Sequence, residues 1–306
     1  MRAMAARVRY DRLATERANP RSARLDQLDA RAIATLMNRE DRAVVAAVGR
    51  AAPAIAAAVD AIAAALGCGG RLFFVGAGTS GRLGVLEAAE CPPTFGTRPG
   101  LVQAIMAGGR RSVFRSREGA EDDAGAAARA VRRRVRRGDV VVGISASGVT
   151  PFVRGALAAA RGLRAITVLV QCSASRGRVA ADVTIRAVPG PEVLAGSTRL
   201  KAGTATKLVL NTLTTASMTR LGKVYGNRMI DLQPRSAKLR ARAERLVAEI
   251  AGVRPDRARR ALRDARGRVR LAVVMARRNL PASAAARALR AAGGSLRSVL
   301  EPRASR

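Results

Sequence analysis

Only 22 of the 306 residues are acidic and none is histidine, so proton transfer in this chain falls to a few carboxylates. A His-based triad and a His-ligated zinc are excluded by composition. Cys68, Cys91 and Cys172 are an odd number without metal-ligand spacing, which excludes a disulfide scaffold as well. Two acidic neighbourhoods draw notice. Glu90 precedes Cys91-Pro92-Pro93, read as a rigid turn able to aim its carboxylate. Glu118, Glu121, Asp122 and Asp123 form a cluster. A pair of carboxylates can divide the roles of general acid and general base. The acid of such a pair needs a raised pKa at neutral pH, through burial or its partner's charge. The plainer readings are a surface carboxylate at a helix end for Glu90, and a first-turn acid favoured by the helix dipole for Glu121.

Two glycine loops carry hydroxyls. Gly76-Ala77-Gly78-Thr79-Ser80-Gly81 follows an apolar run and fits G-x-G-x-x-G, the dinucleotide fingerprint. That fingerprint expects an acid about 20 positions on to hold the ribose. The next strand-like run ends instead in Met106-Ala107-Gly108-Gly109. A nucleotide, another anion and a plain tight turn all fit this loop. The second loop, Ser145-Ala146-Ser147-Gly148-Val149-Thr150-Pro151, runs from another apolar segment into a helix opened by Pro151. Hydroxyls and free N–H groups at a helix N-terminus make a phosphate cradle, and an ordinary Ser/Thr cap is the bland alternative. Hydroxyls on both loops weigh toward phosphate.

The elements that must position these loops alternate along the chain. Ile55, Val59, Ile62 and Leu66 step along one helical face, and Gly67-Cys68-Gly69-Gly70 stops it. Arg71–Val75, Leu101–Met106, Asp139–Ile144, Ala165–Val170 and Asp182–Val188 read as buried strands with helical stretches between most of them. That pattern predicts an α/β fold with a mostly parallel sheet and right-handed crossovers. Ligands then sit at the carboxyl ends of the strands. Residues 1–45 read as an arm with a short helix on Leu25, Leu28, Ile33 and Leu36. Residues 46–235 read as the α/β domain. Residues 236–306 read as a helical subdomain, in which Pro255, Gly267, Pro281 and Gly293-Gly294 punctuate three short helices.

Charge is the loudest number, because 56 basic less 22 acidic residues gives +34. Of the bases 52 are arginine, spread through a chain dominated by alanine, arginine, glycine and valine. Aromatic residues are 2%, so stacking platforms for single strands are nearly absent. Salt-sensitive, non-specific binding to polyanions is expected, and specific nucleic-acid binding is not. No apolar run approaches the ~20 residues that span a bilayer. The first residues (Met1, Arg2, then Arg7, Arg9 and Arg12) lack an apolar signal core. No membrane association and a cytoplasmic location are expected.

The two loops resemble the sugar isomerase (SIS) phosphosugar-binding domain. Longer strings narrow the likeness. Thr15–Pro20, Gly76–Gly84, Glu90–Thr94, Glu118–Asp122, Gly196–Arg199, Lys201–Ala205 and Gly222–Asn227, in that order, resemble the N-acetylmuramic acid 6-phosphate etherase family. The resemblance spans roughly residues 15–300. It implies an SIS-type sheet flanked by helices, with an N-terminal helical arm and a small C-terminal three-helix module. It implies a lyase that splits N-acetylmuramic acid 6-phosphate into N-acetylglucosamine 6-phosphate and D-lactate, in recycling of cell-wall amino sugars. Glucokinase regulatory protein carries the same architecture in duplicate and binds phosphosugars without catalysis. A regulator or an isomerase of the SIS type is therefore the alternative.

The chemistry such a substrate needs follows from its bonds. In the open-chain sugar the lactyl ether at C3 lies β to the C1 aldehyde, so the C2 proton is acidic. Its removal lets the C3 oxygen leave, and water then adds at C3. This needs a base and an acid, with neither metal nor cofactor. Carried over by motif, Glu90 is the acid that protonates departing lactate and Glu121 the base or its partner. Gly78, Thr79, Ser80, Ser145, Ser147, Gly148 and Thr150 are the expected phosphate residues. Ser197, Arg199 and Lys201 precede or open a long helix. All four lysines lie between Lys201 and Lys238, and a compact ammonium suits a phosphate or sugar oxygen. In SIS enzymes such a segment reaches a neighbouring subunit, which implies a homodimer. Four positions depart from the family pattern: Glu87 for aspartate, Ala89 for serine, Val149 for arginine, and Cys172-Ser173-Ala174-Ser175 for a Cys-Asn-Pro stretch.

Overall fold

A computed structural model of the chain describes residues 13–174, 180–232, 234 and 236–301. The expectations for Met1 to Arg12 and for Ser175 lie outside the described residues. The chain forms two compact units, Met1–Ala89 with Gly100–Thr214, and Glu90–Pro99 with Thr215–Arg306.

In the first unit the apolar runs become strands. They are β1 (Leu72–Gly76), β2 (Val102–Met106), β3 (Val140–Ile144), β4 (Ile166–Gln171) and β5 (Val183–Arg186). All ladders are parallel, in the spatial order β2-β1-β3-β4-β5. The runs are uniformly apolar because helices cover both faces of the sheet, leaving no solvent side to alternate toward. The helices are α1 (Ala30–Arg50), α2 (Ala52–Gly67), α3 (Gly78–Phe95), α4 (Ala124–Arg134), α5 (Pro151–Gly162) and α6 (Lys201–Arg220), of which α3 from Glu90 and α6 from Thr215 belong to the second unit. On one face Phe73, Val75, Ile105, Val141 and Leu169 pack with Val131 of α4 and Phe152, Ala156 and Leu157 of α5. On the other, α2 contacts β3 and β5, and α3 passes Gly84 over Phe74 and Ile144.

The chain leaves β1 outward to β2, then returns to the far side of β1 to form β3. The order therefore reverses between β1 and β3. Loops leaving the carboxyl ends of neighbouring strands diverge there and open a crevice. Both hydroxyl-bearing loops flank that point.

Ahead of the sheet, short 3-10 turns occupy Ala14–Glu16, Pro20–Ser22 and Leu25–Gln27. Asp29 then caps α1, its side chain accepting from the Ala32 N–H at 2.7 Å. Helix α1 runs through residue 45 to Arg50 and buries Leu36, Glu40, Val44 and Ala47. A charged residue on that stripe hides the periodicity from a hydrophobic pattern. No single helix among the described residues is long and apolar enough to cross a membrane; α1 and α2 reach that composition only as a pair bent by 58°.

The second unit holds a two-stranded hairpin, β6 (Val224–Tyr225) with β7 (Arg228–Met229), and the helices α7 (Ala237–Ala251), α8 (Pro255–Asp264), α9 (Val269–Arg278), α10 (Ala282–Ala291) and α11 (Leu296–Leu300). The three punctuated helices are α8, α9 and α10; α7 precedes them and the single turn α11 follows. Val247, Ala272, Val273, Val274, Ala285 and Leu296 form their core. Asp231 gathers Lys223, at 2.9 Å, and Arg270. Arg257, Arg259, Arg260 and Arg263 of α8 are exposed, a solvated basic face.

Candidate active site

The first glycine loop is a strand-to-helix turn with no slack. A Cβ on Gly76 would lie 2.7 Å from the Gly81 nitrogen, and one on Gly81 would lie 2.6 Å from the Gly76 carbonyl oxygen. Only a pair of glycines lets β1 feed α3 this closely. The turn leaves Gly78, Thr79 and Ser80 on the first turn of α3, facing a cavity of about 340 Å3.

The second loop is held by its own hydroxyls. Ser145 is buried, and its Oγ accepts from the Gly148 N–H at 3.0 Å and lies 2.7 Å from the Thr150 Oγ1. Gly148 has φ +77°, and a Cβ there would sit 2.6 Å from the Gln171 Oε1. Thr150 precedes α5 but makes no side-chain cap bond. The ordinary-cap alternative therefore fails here: the Thr150 hydroxyl is turned to Ser145, and among the described residues no side chain accepts from the first-turn N–H groups. Ser147 and Thr150 line the same cavity as Thr79 and Ser80. Two helix N-termini thus open on one space, which favours an anion.

Sequence reasoning and structure agree on part of the lining and differ on the rest. Glu121 is half-buried in a 3-10 turn, Ala120–Asp122, and lines the cavity with Glu118. Ser145 and Gly148 shape the loop from behind. Gly196 and Thr198 line the cavity rather than Ser197 and Arg199. Residues not singled out individually also line it, among them Thr15, Glu16, Arg82, Ser112 and Arg117. Thr15, Glu16 and Arg82 lie inside family-like strings, so their signal was present in the sequence without an assigned task.

Glu90 belongs to the second unit and is exposed on α3. The rigid turn expected after it is helix instead. Pro92 and Pro93 stand inside α3, and the Gly96 N–H closes on the Pro92 carbonyl at 3.0 Å. Each proline removes one bond to the carbonyl four residues back, at Ala88 and Ala89, but the helix continues past them.

The Lys201 expectation is corrected. Its side chain is 2% exposed and its Nζ donates to the Glu40 Oε2 at 2.9 Å. Glu40 also accepts from Asn19 at 2.8 Å and from Arg21 at 3.0 Å. Burial alone would raise the Glu40 carboxyl, but hydrogen bonds from Lys201, Asn19 and Arg21 outweigh it and hold the pKa at about 2. Glu192 accepts from the Lys201 and Ala202 N–H groups at 2.8 and 2.9 Å, capping α6; burial raises its pKa against those bonds. Lys207 pairs with Glu87, whose other oxygen accepts from Thr214 at 2.8 Å. The glutamate that departs from the family pattern thus serves as a buried tie between α3 and α6. Lys201, Lys207 and Lys223 all pair within the fold, which gives the lysine cluster a structural task. Cys172 is buried and its thiol pushed up to about 11 by that burial, so it is a poor nucleophile. Among the described residues no group of three or more Cys, Asp and Glu is arranged to hold a metal ion.

A parallel sheet of this order, with hydroxyl-bearing glycine loops at its switch point, is the SIS type of domain. The family model described as "Glucokinase regulatory protein N-terminal SIS domain" matches residues 54–161. Over nearly the whole length the chain is similar to proteins named N-acetylmuramic acid 6-phosphate etherase. The one from Gloeobacter violaceus is 53% identical over 94% of this chain and 95% of its own. The one from Geobacillus thermodenitrificans is 48% identical over 95% of this chain and 99% of its own. The chain belongs to the N-acetylmuramic acid 6-phosphate etherase family.

Proposed function

We propose that this chain cleaves the D-lactyl ether of N-acetylmuramic acid 6-phosphate, releasing N-acetylglucosamine 6-phosphate and D-lactate. One observation carries the reading beyond family membership: a single cavity is lined by the hydroxyls of both glycine loops and by Glu121. An anion cradle beside a carboxylate is what a sugar phosphate with an acidic C–H requires. The regulator alternative is set aside by relatives near 50% identity that are named as etherases.

In this reading Thr79, Ser80, Ser147 and Thr150 receive the phosphate, with Gly78, Ser145 and Gly148 shaping the loops. Glu121 takes the proton from C2 of the open-chain sugar. The electron pair is first held as an enolate on the C1 aldehyde oxygen; it then forms the C2–C3 double bond as the C3–O bond breaks, and Glu90, by resemblance, gives the departing lactate oxygen its proton. Water then adds its hydroxyl to C3 and a proton returns to C2. The sequence balances without metal or cofactor. A sugar phosphate does not cross a bilayer unaided, which fits a cytoplasmic enzyme, and the resemblance supports a homodimer. The net charge of +34 supports salt-sensitive, non-specific polyanion binding. The test is incubation of the purified chain with N-acetylmuramic acid 6-phosphate and an enzymatic assay for D-lactate. Release is expected; its absence would defeat the reading.

A further inference from the structure

Substrate and product of this reaction share the sugar, the N-acetyl group and the phosphate. They differ in the lactyl group, which adds a carboxylate. An etherase that is not to be clogged by its own product needs a cation for that group, and the cavity holds one built into the fold.

Arg82 lies three and four residues after Thr79 and Gly78, so it rises from the same face of α3 as the phosphate loop. It is half-buried and lines the cavity. Its Nε donates to the Val113 carbonyl at 2.8 Å, and its Nη2 to the Ser112 carbonyl at 2.9 Å and the Ser116 Oγ at 3.3 Å. All these acceptors are neutral, so the positive charge is held in place without being cancelled. Among the described residues Arg82 forms no salt bridge, although Glu118 and Glu121 line the same cavity. A guanidinium has five donors. The contacts above occupy those on Nε and Nη2, leaving the pair on Nη1. The turn that Arg82 holds leads directly into the segment bearing Glu121. In the substrate C2 and C3 are adjacent, so a sugar with C2 at Glu121 carries its lactyl group on the neighbouring carbon. Phosphate already has the hydroxyl loops and two helix N-termini.

We propose that Arg82 binds the carboxylate of the lactyl group and thereby selects the ether substrate over the sugar phosphate product. The assignment rests on the etherase reading above. Arg117 also lines the cavity but is exposed and has no comparable anchoring to carbonyls.

The experiment changes the ligand as well as the residue. Lactate or lactamide release is followed with N-acetylmuramic acid 6-phosphate and with its analogue in which the lactyl carboxylate is a carboxamide. N-acetylglucosamine 6-phosphate serves as a competitive inhibitor throughout. For the wild-type chain kcat/KM should be about tenfold to a hundredfold higher for the acid than for the amide, the scale of one charge-assisted hydrogen bond. Arg82→Gln should bring that ratio close to 1 while leaving inhibition by the product unchanged. Arg82→Lys, which keeps the charge but loses the fork, should fall between. A wild-type ratio near 1 overturns the assignment without reference to any variant, so a variant that fails to fold does not shelter it. So does an Arg82→Gln enzyme that keeps the wild-type ratio, or one in which product inhibition weakens as much as substrate use; the latter assigns Arg82 to the phosphate or to the turn. No product from either compound with wild type defeats the reaction itself, a result distinct from release without discrimination.

Discussion

The cavity at the switch point and the buried cluster around Glu40 each draw a charged residue from a family-like string, Arg82 in one and Lys201 in the other, yet they spend it in opposite ways. Around Glu40 the carboxylate is satisfied by Lys201, Asn19 and Arg21, and the ammonium is sealed from water. In the cavity Arg82 leans on carbonyls, Thr150 declines to cap its helix, and Glu121 stays half-exposed. Saturated charges hold a fold together, while unsaturated ones remain available to a ligand. Likeness to a family therefore does not by itself assign a residue to chemistry; its partners in the fold decide.

The comparison breaks most visibly at Glu121. Glu121→Gln keeps the shape and removes the base, so lactate release should fall by about 10²- to 10⁴-fold, the scale of general acid–base catalysis. Exchange of the C2 hydrogen with deuterated water should be lost with it, while the urea midpoint stays at the wild-type value. Glu90→Gln should lose release but retain exchange, because the base is untouched. Near wild-type release from both variants would sink the two-carboxylate mechanism, and exchange lost only in Glu90→Gln would reverse the roles.

At Lys201 the opposite signature is expected. Lys201→Met leaves Glu40 charged and buried without its ammonium, and breaking a buried pair costs about 3–5 kcal/mol. The loss should appear in urea unfolding at neutral pH, while KM of the remaining folded enzyme is unaltered. Acid adds a second reading. Glu40 is held near 2 in the fold against an ordinary value of 4.5, so the wild-type chain binds fewer protons at Glu40 when folded. Its contribution is complete above that ordinary range and is lost as pH falls toward about 2. Without Lys201 the depression shrinks, so the variant should lose less stability over the same acid range. A variant of wild-type stability whose KM rises would instead return Lys201 to the substrate.

Much of this was legible from residue order alone. The strand runs at Arg71–Val75, Leu101–Met106 and Asp139–Ile144 lie within one residue of β1, β2 and β3, because strands covered on both faces read as unbroken apolar stretches. The glycine loops were legible because tight strand-to-helix turns demand their glycines by sterics. What escaped was pairing across long separations. Glu40 and Lys201 are 161 positions apart, and Glu87 and Lys207 are 120 apart. Nothing in local spacing says that a lysine beside a candidate site will turn inward to such a partner. Pro92-Pro93 misled for a related reason. Proline forbids a bond rather than a helix, and a helix supported on either side tolerates two missing bonds. Arg82 sat in plain view within Gly76–Gly84, and its task emerged only from the carbonyls of Ser112 and Val113.

The smallest expected effect gives the finest resolution, because it separates two serines two residues apart in one loop. Ser147 lines the cavity, whereas Ser145 is buried and ties Gly148 and Thr150 to the end of β3. Ser147→Ala removes one hydroxyl from the phosphate cradle, and with it a 3.3 Å bond from the Val149 N–H, but leaves the Ser145 ties in place. Its cost is one hydrogen bond to a charged group, about 1.5–3 kcal/mol, or roughly tenfold to a hundredfold in the dissociation constant for N-acetylglucosamine 6-phosphate. The urea midpoint should shift less than that of Ser145→Ala. Ser145→Ala instead removes a buried hydroxyl that bonds the Gly148 N–H and the Thr150 Oγ1, leaving Gly148 only the Ser145 carbonyl, so stability and binding should fall together. Isothermal titration with the product, paired with urea melts of both variants, distinguishes the cases. Equal binding by wild type and Ser147→Ala would remove this loop from the phosphate site. A loss of stability at Ser147 as large as that at Ser145 would mean that both serines belong to the saturated, structural side of the comparison.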